Sequence, residues 1–263
     1  DLGDLAAVEG ISEITYGAWI KPTDFGGGAN TGRSIIAKHA YTGGFGDASF
    51  YIYYRQGGTI TPGQGYRFSA GISTSSSVSG ITTDAFYTPL NEWVHVMFTW
   101  KSGETSKLYI NGEIHEASST AVSGIINNST SSLRIGSSNW GGEQKFKGSM
   151  DEVVIYNRRL TGAEVKQAAF QRPQGDESGL VLAYNGEFPS SGKIRDLSPN
   201  GNNGTLVSMD ESSFIAGHET VLVSTAENRS VGDTIAYAAG YDFDNDDMLT
   251  YYQIGNSSYD LDS

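Results

Sequence analysis

The stretch KLYINGEIHE, residues 107–116, holds the clearest indication of the fold. Two alternating runs of apolar and polar residues flank the pair Asn111-Gly112. Both residues tolerate the positive φ angles that a tight type I′ turn requires. The stretch therefore predicts two antiparallel strands joined by a hairpin.

The same period of two recurs through the first 160 residues and places successive side chains on opposite faces of a strand. Gly, Ser, Thr and Asn separate the runs. The chain is therefore predicted to be all-β and antiparallel, with two sheets. The other runs are ITYGAWIKP (14–22), ASFYIYYR (48–55), GYRFSAGIS (65–73), WVHVMFTW (93–100) and SLRIGS (132–137).

One short helix is predicted over LTGAEVKQAAF, residues 160–170. Thr161 is placed to cap its N-terminus, and Glu164 follows three residues later, which is the capping-box pattern. The helix should be about two turns long and should be followed by a loop.

Composition narrows the classes of function. The 263 residues carry a formal net charge of -13, which disfavours nucleic acid as a partner because phosphate binding needs clustered basic side chains. There is no cysteine, hence no disulfide or thiolate metal site, and no apolar run long enough for membrane insertion. Residues 209–263 contain eleven Asp or Glu and one basic residue, Arg229, so a domain boundary is predicted after residue 208.

Five segments together resemble a known family. They are WIKP, LNEWVHVMFTW, KLYINGE, LRIGS and FKGSMDEVVIYNRRLTGAEV, and their order is that of laminin-G-like, concanavalin-A-like lectin modules. The resemblance implies a jelly-roll sandwich of two antiparallel sheets and a location outside the cell or on its surface. The chain is accordingly expected to be a piece of a longer exported protein.

Residues 179–207, GLVLAYNGEFPSSGKIRDLSPNGNNGTLV, resemble the opening strand and loop of the same family but follow its last strand here. Two alternatives are open: the segment begins a second module, or it completes the first sandwich, residues 1–208. We expect completion, because too little chain remains for a second jelly roll and an unpaired sheet edge would otherwise be exposed.

The loop DLSPNGNNGT, residues 196–205, mixes one carboxylate with amide oxygens and glycines, as a calcium site does. The predicted ligands are Asp196, Ser198, Asn200, Asn202 and Asn203. The family resemblance implies calcium as the cofactor and Asp151 as a further ligand, although Pro199 stands where glycine is usual. The alternative is an ordinary turn whose backbone N–H groups are capped by Asp196.

The acidic end of the chain resembles a different family. Residues 226–254 are similar to the first half of a cadherin-like repeat, so residues 209–263 are predicted to be a partial β-sandwich. The resemblance implies that Glu227, Asp242 and Asp244 bind calcium together with a linker from a neighbouring repeat of the same polypeptide. A solvated acidic turn is the alternative.

Catalysis is not expected, because adjacent Asp151 and Glu152 in an alternating strand should point to opposite faces.

Binding is expected at a rim of glycine-rich loops, where Tyr41 and Trp140 are placed to stack on a sugar ring or to fold back onto the sandwich. The resulting hypothesis is a calcium-dependent adhesion module whose partner is carbohydrate or a cell-surface glycoprotein. The alternatives are an accessory carbohydrate-binding domain of a polysaccharide-degrading enzyme and a structural spacer.

Overall fold

The chain divides into two units, Asp1–Ile215 and Ala216–Ser263. The computed structural model describes residues 1–24, 32–39, 48–56, 66–75, 77–83, 90–139, 144–185, 191–209, 213, 219–222, 237–240 and 250–252. Within these residues, no helix is both long enough and apolar enough to cross a membrane.

The first unit contains two sheets whose strands all pair antiparallel. One has six strands in the order β11-β10-β1-β6-β7-β8, and the other has five in the order β5-β4-β3-β2-β9. A short pair, β12 and β13, forms a two-stranded sheet of its own. The elements are β1 (Glu13–Pro22), β2 (Arg33–His39), β3 (Ala48–Gln56), β4 (Tyr66–Ser73), β5 (Val78–Thr82), β6 (Val94–Lys101), β7 (Lys107–Ile110), β8 (Glu113–Ala117), β9 (Leu133–Ile135), β10 (Gly148–Tyr156), α1 (Gly162–Phe170), β11 (Leu180–Tyr184), β12 (Lys193–Ile194) and β13 (Gly204–Thr205).

The main core lies between the two sheets and is rich in aromatic side chains. Tyr16 of β1 contacts Phe50 of β3 and Phe98 of β6, with ring centroids 4.9 and 5.3 Å away. Its hydroxyl lies 2.9 Å from the carbonyl oxygens of both Tyr51 and Gly71, so a β1 side chain reaches the backbone of the facing sheet. The predicted all-β sandwich is confirmed, because alternate residues of these strands form one buried cluster.

The hairpin and the helix predicted from local patterns are both confirmed. Asn111 and Gly112 adopt φ angles of 50° and 79° between β7 and β8. Helix α1 begins after Thr161, and Thr161 and Glu164 form the reciprocal capping box. Buried Val165 and Ala169 pack this helix against the outer face of the six-stranded sheet, where they meet a second apolar cluster.

Strand β11 adds an edge to the six-stranded sheet. It pairs antiparallel with β10, placing Ala183 opposite Val154 and Leu182 opposite Ile155. Strand β11, the first part of residues 179–207, therefore extends the first sandwich and does not begin a second module.

The second unit is described at three strands, β14 (Glu219–Leu222), β15 (Tyr237–Gly240) and β16 (Thr250–Tyr252), which pair antiparallel in that order. Its assignment as a cadherin-like repeat stays a prediction. Glu227, Asp242 and Asp244, the calcium ligands expected there, lie outside the described residues.

Candidate functional site

The loop of residues 196–205 folds around the carboxylate of Asp196, which is 5% exposed. Oδ1 accepts hydrogen bonds from the backbone N–H of Ala183 at 2.9 Å and of Ser198 at 3.0 Å. Oδ2 accepts from the Ser198 hydroxyl at 2.6 Å and from the Asn202 N–H at 2.8 Å. Four donors therefore occupy the acceptor positions of this carboxylate.

The amide side chains of the loop also bind backbone. Asn200 Nδ2 donates to the Leu180 carbonyl at 3.0 Å, and Asn202 Nδ2 donates to the Val181 carbonyl at 2.8 Å. Asn203 Oδ1 accepts from the Asp196 N–H at 2.9 Å. The predicted ligands Asp196, Ser198, Asn200, Asn202 and Asn203 are thus brought together, and their hydrogen bonds both close the loop on itself and join it to β11.

Calcium requires oxygen lone pairs directed at one point. Here the Asp196 oxygens face N–H and O–H donors, while the Asn200 and Asn202 amide nitrogens face carbonyls. Among the described residues, no cluster of three or more His, Asp or Glu side chains is arranged to hold a metal ion. Calcium binding by the loop stays a prediction, and it would require Asp196 to exchange hydrogen-bond donors for the ion.

Asp151, the further ligand that the family resemblance implies, lies in β10 beside a β-bulge. The pairing of β1 with β10 shifts register between Gly17 and Trp19, and Glu152 adopts a φ of 47°. Asp151 Oδ1 accepts a hydrogen bond from the Glu152 N–H at 2.7 Å. The Asp196 carboxylate accepts its four hydrogen bonds from Ala183, Ser198 and Asn202, and a calcium site shared by Asp151 and Asp196 stays a prediction.

The bulge also places two acidic residues, Asp151 and Glu152, in a buried position. Asp151 and Glu152 are both buried, at 1% and 3% exposure, and Arg172 Nε lies 3.5 Å from Glu152 Oε1. Burial, with the neighbouring Asp151 charge, raises the pKa of Glu152 to about 8. Because the bulge interrupts the alternation of side chains at Glu152, alternation no longer requires Asp151 and Glu152 to point to opposite faces of β10. The absence of catalysis stays a prediction.

A second candidate site lies on the face of the five-stranded sheet that points away from the core. Phe50, Ile52 and Tyr54 of β3 face the core, so the intervening Tyr51 and Tyr53 lie on the opposite face. Their rings are stacked, with centroids 5.4 Å apart and planes inclined by 24°. Both side chains are half-buried, which leaves part of each ring accessible.

Small and hydroxylated residues flank these tyrosines. Tyr51 pairs with Gly71 of β4, and Gly71 pairs with Gly80 of β5. Cβ atoms placed on Gly71 and Gly80 would lie 3.2 and 3.3 Å from the Tyr51 hydroxyl, so this side chain lies across the two glycines. The Ser69 and Thr82 hydroxyls hydrogen-bond at 2.9 Å. We call the surface formed by Tyr51, Tyr53, Ser69, Gly71, Gly80 and Thr82 the tyrosine face.

Sequence reasoning did not identify the tyrosine face. The predicted sugar-stacking residues, Tyr41 and Trp140, lie outside the described residues. The available signal was ASFYIYYR, where aromatic residues occupy both phases of one alternating strand. One phase fills the core, so the other phase presents aromatic rings on the outside.

Comparison with known proteins agrees with this architecture. The family model described as the concanavalin A-like lectin/glucanases superfamily matches residues 2–166. A putative carbohydrate-binding protein of Bacteroides ovatus has a similar fold, with a TM-score of 0.54 and 24% identity over 74% of this chain and 52% of that chain. Domain 4 of an extracellular arabinanase from Geobacillus stearothermophilus, solved in complex with arabinotriose, gives a TM-score of 0.43 and 21% identity, covering 62% of this chain and 69% of that one.

A curated relative is the human adhesion G-protein coupled receptor D1. It is 36% identical over 89 residues, which are 33% of this chain and 10% of the receptor. The match thus spans about a tenth of that relative's length. With the two-sheet sandwich and a family match over most of the first unit, the chain belongs to the concanavalin A-like lectin/glucanases superfamily.

Proposed function

We propose that the first unit is a non-catalytic carbohydrate-binding module and that the saccharide binds on the tyrosine face. The observation that carries the proposal is the stacked pair of Tyr51 and Tyr53 on the outer side of a sheet. The apolar C–H face of a sugar ring packs on an aromatic ring, while its hydroxyl groups need hydrogen-bonding neighbours. Thr82, which is exposed, supplies a hydroxyl group beside the rings, and this hydroxyl hydrogen-bonds that of the buried Ser69.

The backbone around the tyrosines is well fixed, which favours binding. The Tyr16 hydroxyl bonds the carbonyls of Tyr51 and Gly71, and Tyr51 also contacts His39, with ring centroids 6.0 Å apart. A side chain that is already ordered loses less conformational entropy when a ligand arrives. The face is therefore preorganised for a ligand that stacks.

The setting of this module is part of the same proposal. An exported or cell-surface adhesion protein fits a chain that resembles part of a human adhesion receptor and shares its fold with a putative carbohydrate-binding protein. The proposed partners are a glycan or a cell-surface glycoprotein, and further repeats of the same polypeptide.

Calcium dependence is a separate proposal, supported by the family resemblance and by the mixture of carboxylate and amide oxygens in the loop of residues 196–205. Isothermal titration of chelator-treated protein with calcium chloride tests it. Binding heat in the wild type that is absent from Asp196→Ala would support a site in the loop. Absence of heat in both proteins would contradict it and leave the hydrogen bonds of Asp196 as the fastening of β11.

Affinity electrophoresis through gels containing single soluble polysaccharides, neutral and acidic, tests the binding function. Retardation in at least one gel, relative to a polysaccharide-free gel, is the expected result. Unchanged mobility in every gel would contradict the proposal. A parallel assay for newly formed reducing ends should stay at background, and their release would contradict the non-catalytic assignment.

A further inference from the structure

Two arginines lie directly opposite each other next to the tyrosine face. Arg55 of β3 pairs with Arg67 of β4, two residues along the strand from the pair Tyr53 and Ser69. Residues separated by two positions share a face of the sheet, so both guanidinium groups lie on the side of Tyr51 and Tyr53. Like charges directly opposite on neighbouring strands repel each other, and an anion bound beside both guanidinium groups would reduce that repulsion.

The charge of the whole sheet is unusual for this protein. The chain carries a net -13, yet strands β2, β3, β4, β5 and β9 contain no Asp or Glu. Their cationic residues are Arg33, Lys38, Arg55, Arg67 and Arg134. An acidic protein thus presents one sheet whose fixed charges are all positive.

Three of those cations bind carboxylates from outside the sheet. Arg33 pairs with Asp24 at 2.8 Å, Lys38 with Asp4 at 2.6 Å, and Arg134 with Asp1 at 3.2 Å.

Arg67 differs from these three. Its Nε is buried and has no hydrogen-bond partner among the described residues. A guanidinium is always charged and carries five N–H donors, so a buried, unsatisfied donor favours an acceptor supplied by a ligand.

We propose that the tyrosine face takes an acidic saccharide whose carboxylate or sulfate group binds Arg55 and Arg67 while neighbouring sugar rings stack on Tyr53 and Tyr51. Guanidinium groups bind planar carboxylates and sulfates through paired, charge-assisted hydrogen bonds. The anion would offset the repulsion between the arginines and supply the acceptor for Arg67 Nε. This inference rests on the proposed carbohydrate-binding function and adds the chemical class of the ligand.

The test compares wild type with Arg67→Gln, Arg55→Gln/Arg67→Gln and the control Arg195→Gln, which removes an exposed cation outside the tyrosine face. The probes are polygalacturonic acid as a uronate polymer, heparin as a sulfated polymer, and xylan and galactan as neutral polymers. Affinity electrophoresis measures retention, normalised to gels without polymer. Circular dichroism melts verify that each variant folds.

At least one acidic polymer should retard the wild type and Arg195→Gln equally. Arg67→Gln should bind it about tenfold more weakly, and the double variant should bind more weakly still, as expected for the loss of charge-assisted hydrogen bonds. Retention by polygalacturonic acid identifies a carboxylate ligand, and retention by heparin identifies a sulfate ligand.

The outcomes separate the two proposals. Retention by neutral polymers alone would overturn the acidic specificity and leave carbohydrate binding in place. Retention by acidic polymers that the double variant keeps in full would also overturn it. Retention by none of the four polymers would overturn both.

Discussion

Tyr51 and Tyr53 are stacked on the outside of β3, with their ring centroids 5.4 Å apart, whereas Tyr54 packs in the core against Tyr66. One strand thus uses aromatic residues for two purposes. The inward set stabilises the sandwich, and the outward set is half-buried beside glycines and hydroxyl groups. This division supports binding, because rings needed only for the core would face the core.

Asp196→Ala should lower the free energy of unfolding by about 2–3 kcal/mol, because it leaves three backbone N–H groups, those of Ala183, Ser198 and Asn202, without their acceptor. Chemical denaturation measures the change. Hydrogen exchange should also become faster over residues 180–184. Asp176→Ala, at an exposed acidic position, is the matched control, and equal stability of the two variants would contradict the role of Asp196.

Lys38→Met should destabilise the first unit by about 3–5 kcal/mol, as expected when a buried ion pair loses one partner. Lys38 is fully buried, and its Nζ lies 2.6 Å from Asp4 Oδ1, 2.9 Å from Glu9 Oε1 and 2.7 Å from the Ser129 carbonyl oxygen. Urea unfolding measures the loss. Exposed Lys145→Met should leave the midpoint unchanged, and a similar result for Lys38→Met would show that the N-terminal segment is held by other contacts.

Glu164→Gln should destabilise the protein more at pH 7 than at pH 2. A hydrogen bond from Arg158, the largest effect, lowers the pKa of Glu164 to about 2, with help from Thr161. A lowered pKa stabilises the fold above the unfolded value near 4.5, and this contribution is lost as pH falls through about 2.

The effect of Glu164→Gln should be below about 1 kcal/mol, because the Glu164 side chain is 36% exposed. Thermal melts at several pH values provide the measurement. Glu116→Gln, on exposed strand β8, is the control. A difference between wild type and Glu164→Gln that stays constant from pH 7 to pH 2 would contradict the assignment.

Gly148→Ala should cost more than Gly192→Ala by over about 2 kcal/mol, although both glycines have positive φ angles, 136° and 72°. A Cβ atom on Gly148 would lie 2.1 Å from the Lys21 carbonyl oxygen of the paired strand, whereas one on Gly192 meets nothing within 4 Å. Denaturation midpoints compare the two variants. Equal losses would mean that backbone strain alone, without the steric clash, sets the cost at Gly148.

The sequence correctly predicted the hairpin and the helix, because residues close together in the chain determine both. Asn111-Gly112 forms the hairpin because two adjacent residues set its φ angles. Thr161 and Glu164 mark the start of α1 because the capping box involves only residues within one turn. In both places, the energy that fixes the structure comes from residues adjacent in sequence.

Features that depend on tertiary pairing were not predictable in the same way. The bulge at Glu152 adds a residue to β10 only relative to the facing strand β1. The sequence shows Asp196 only as a turn residue, whereas in the structure its carboxylate accepts a hydrogen bond from the Ala183 N–H of β11. Arg55 and Arg67 become opposed only through the pairing of β3 with β4.

The most direct measurement compares wild type with Tyr51→Ala/Tyr53→Ala for binding to the polysaccharide that retards the wild type most. Phe170→Ala, a half-buried aromatic at the end of α1, is the control for loss of an aromatic ring elsewhere. Loss of both stacking rings should weaken binding about tenfold or more while the melt stays cooperative. Wild-type affinity in a folded Tyr51→Ala/Tyr53→Ala protein would contradict a carbohydrate site on the tyrosine face.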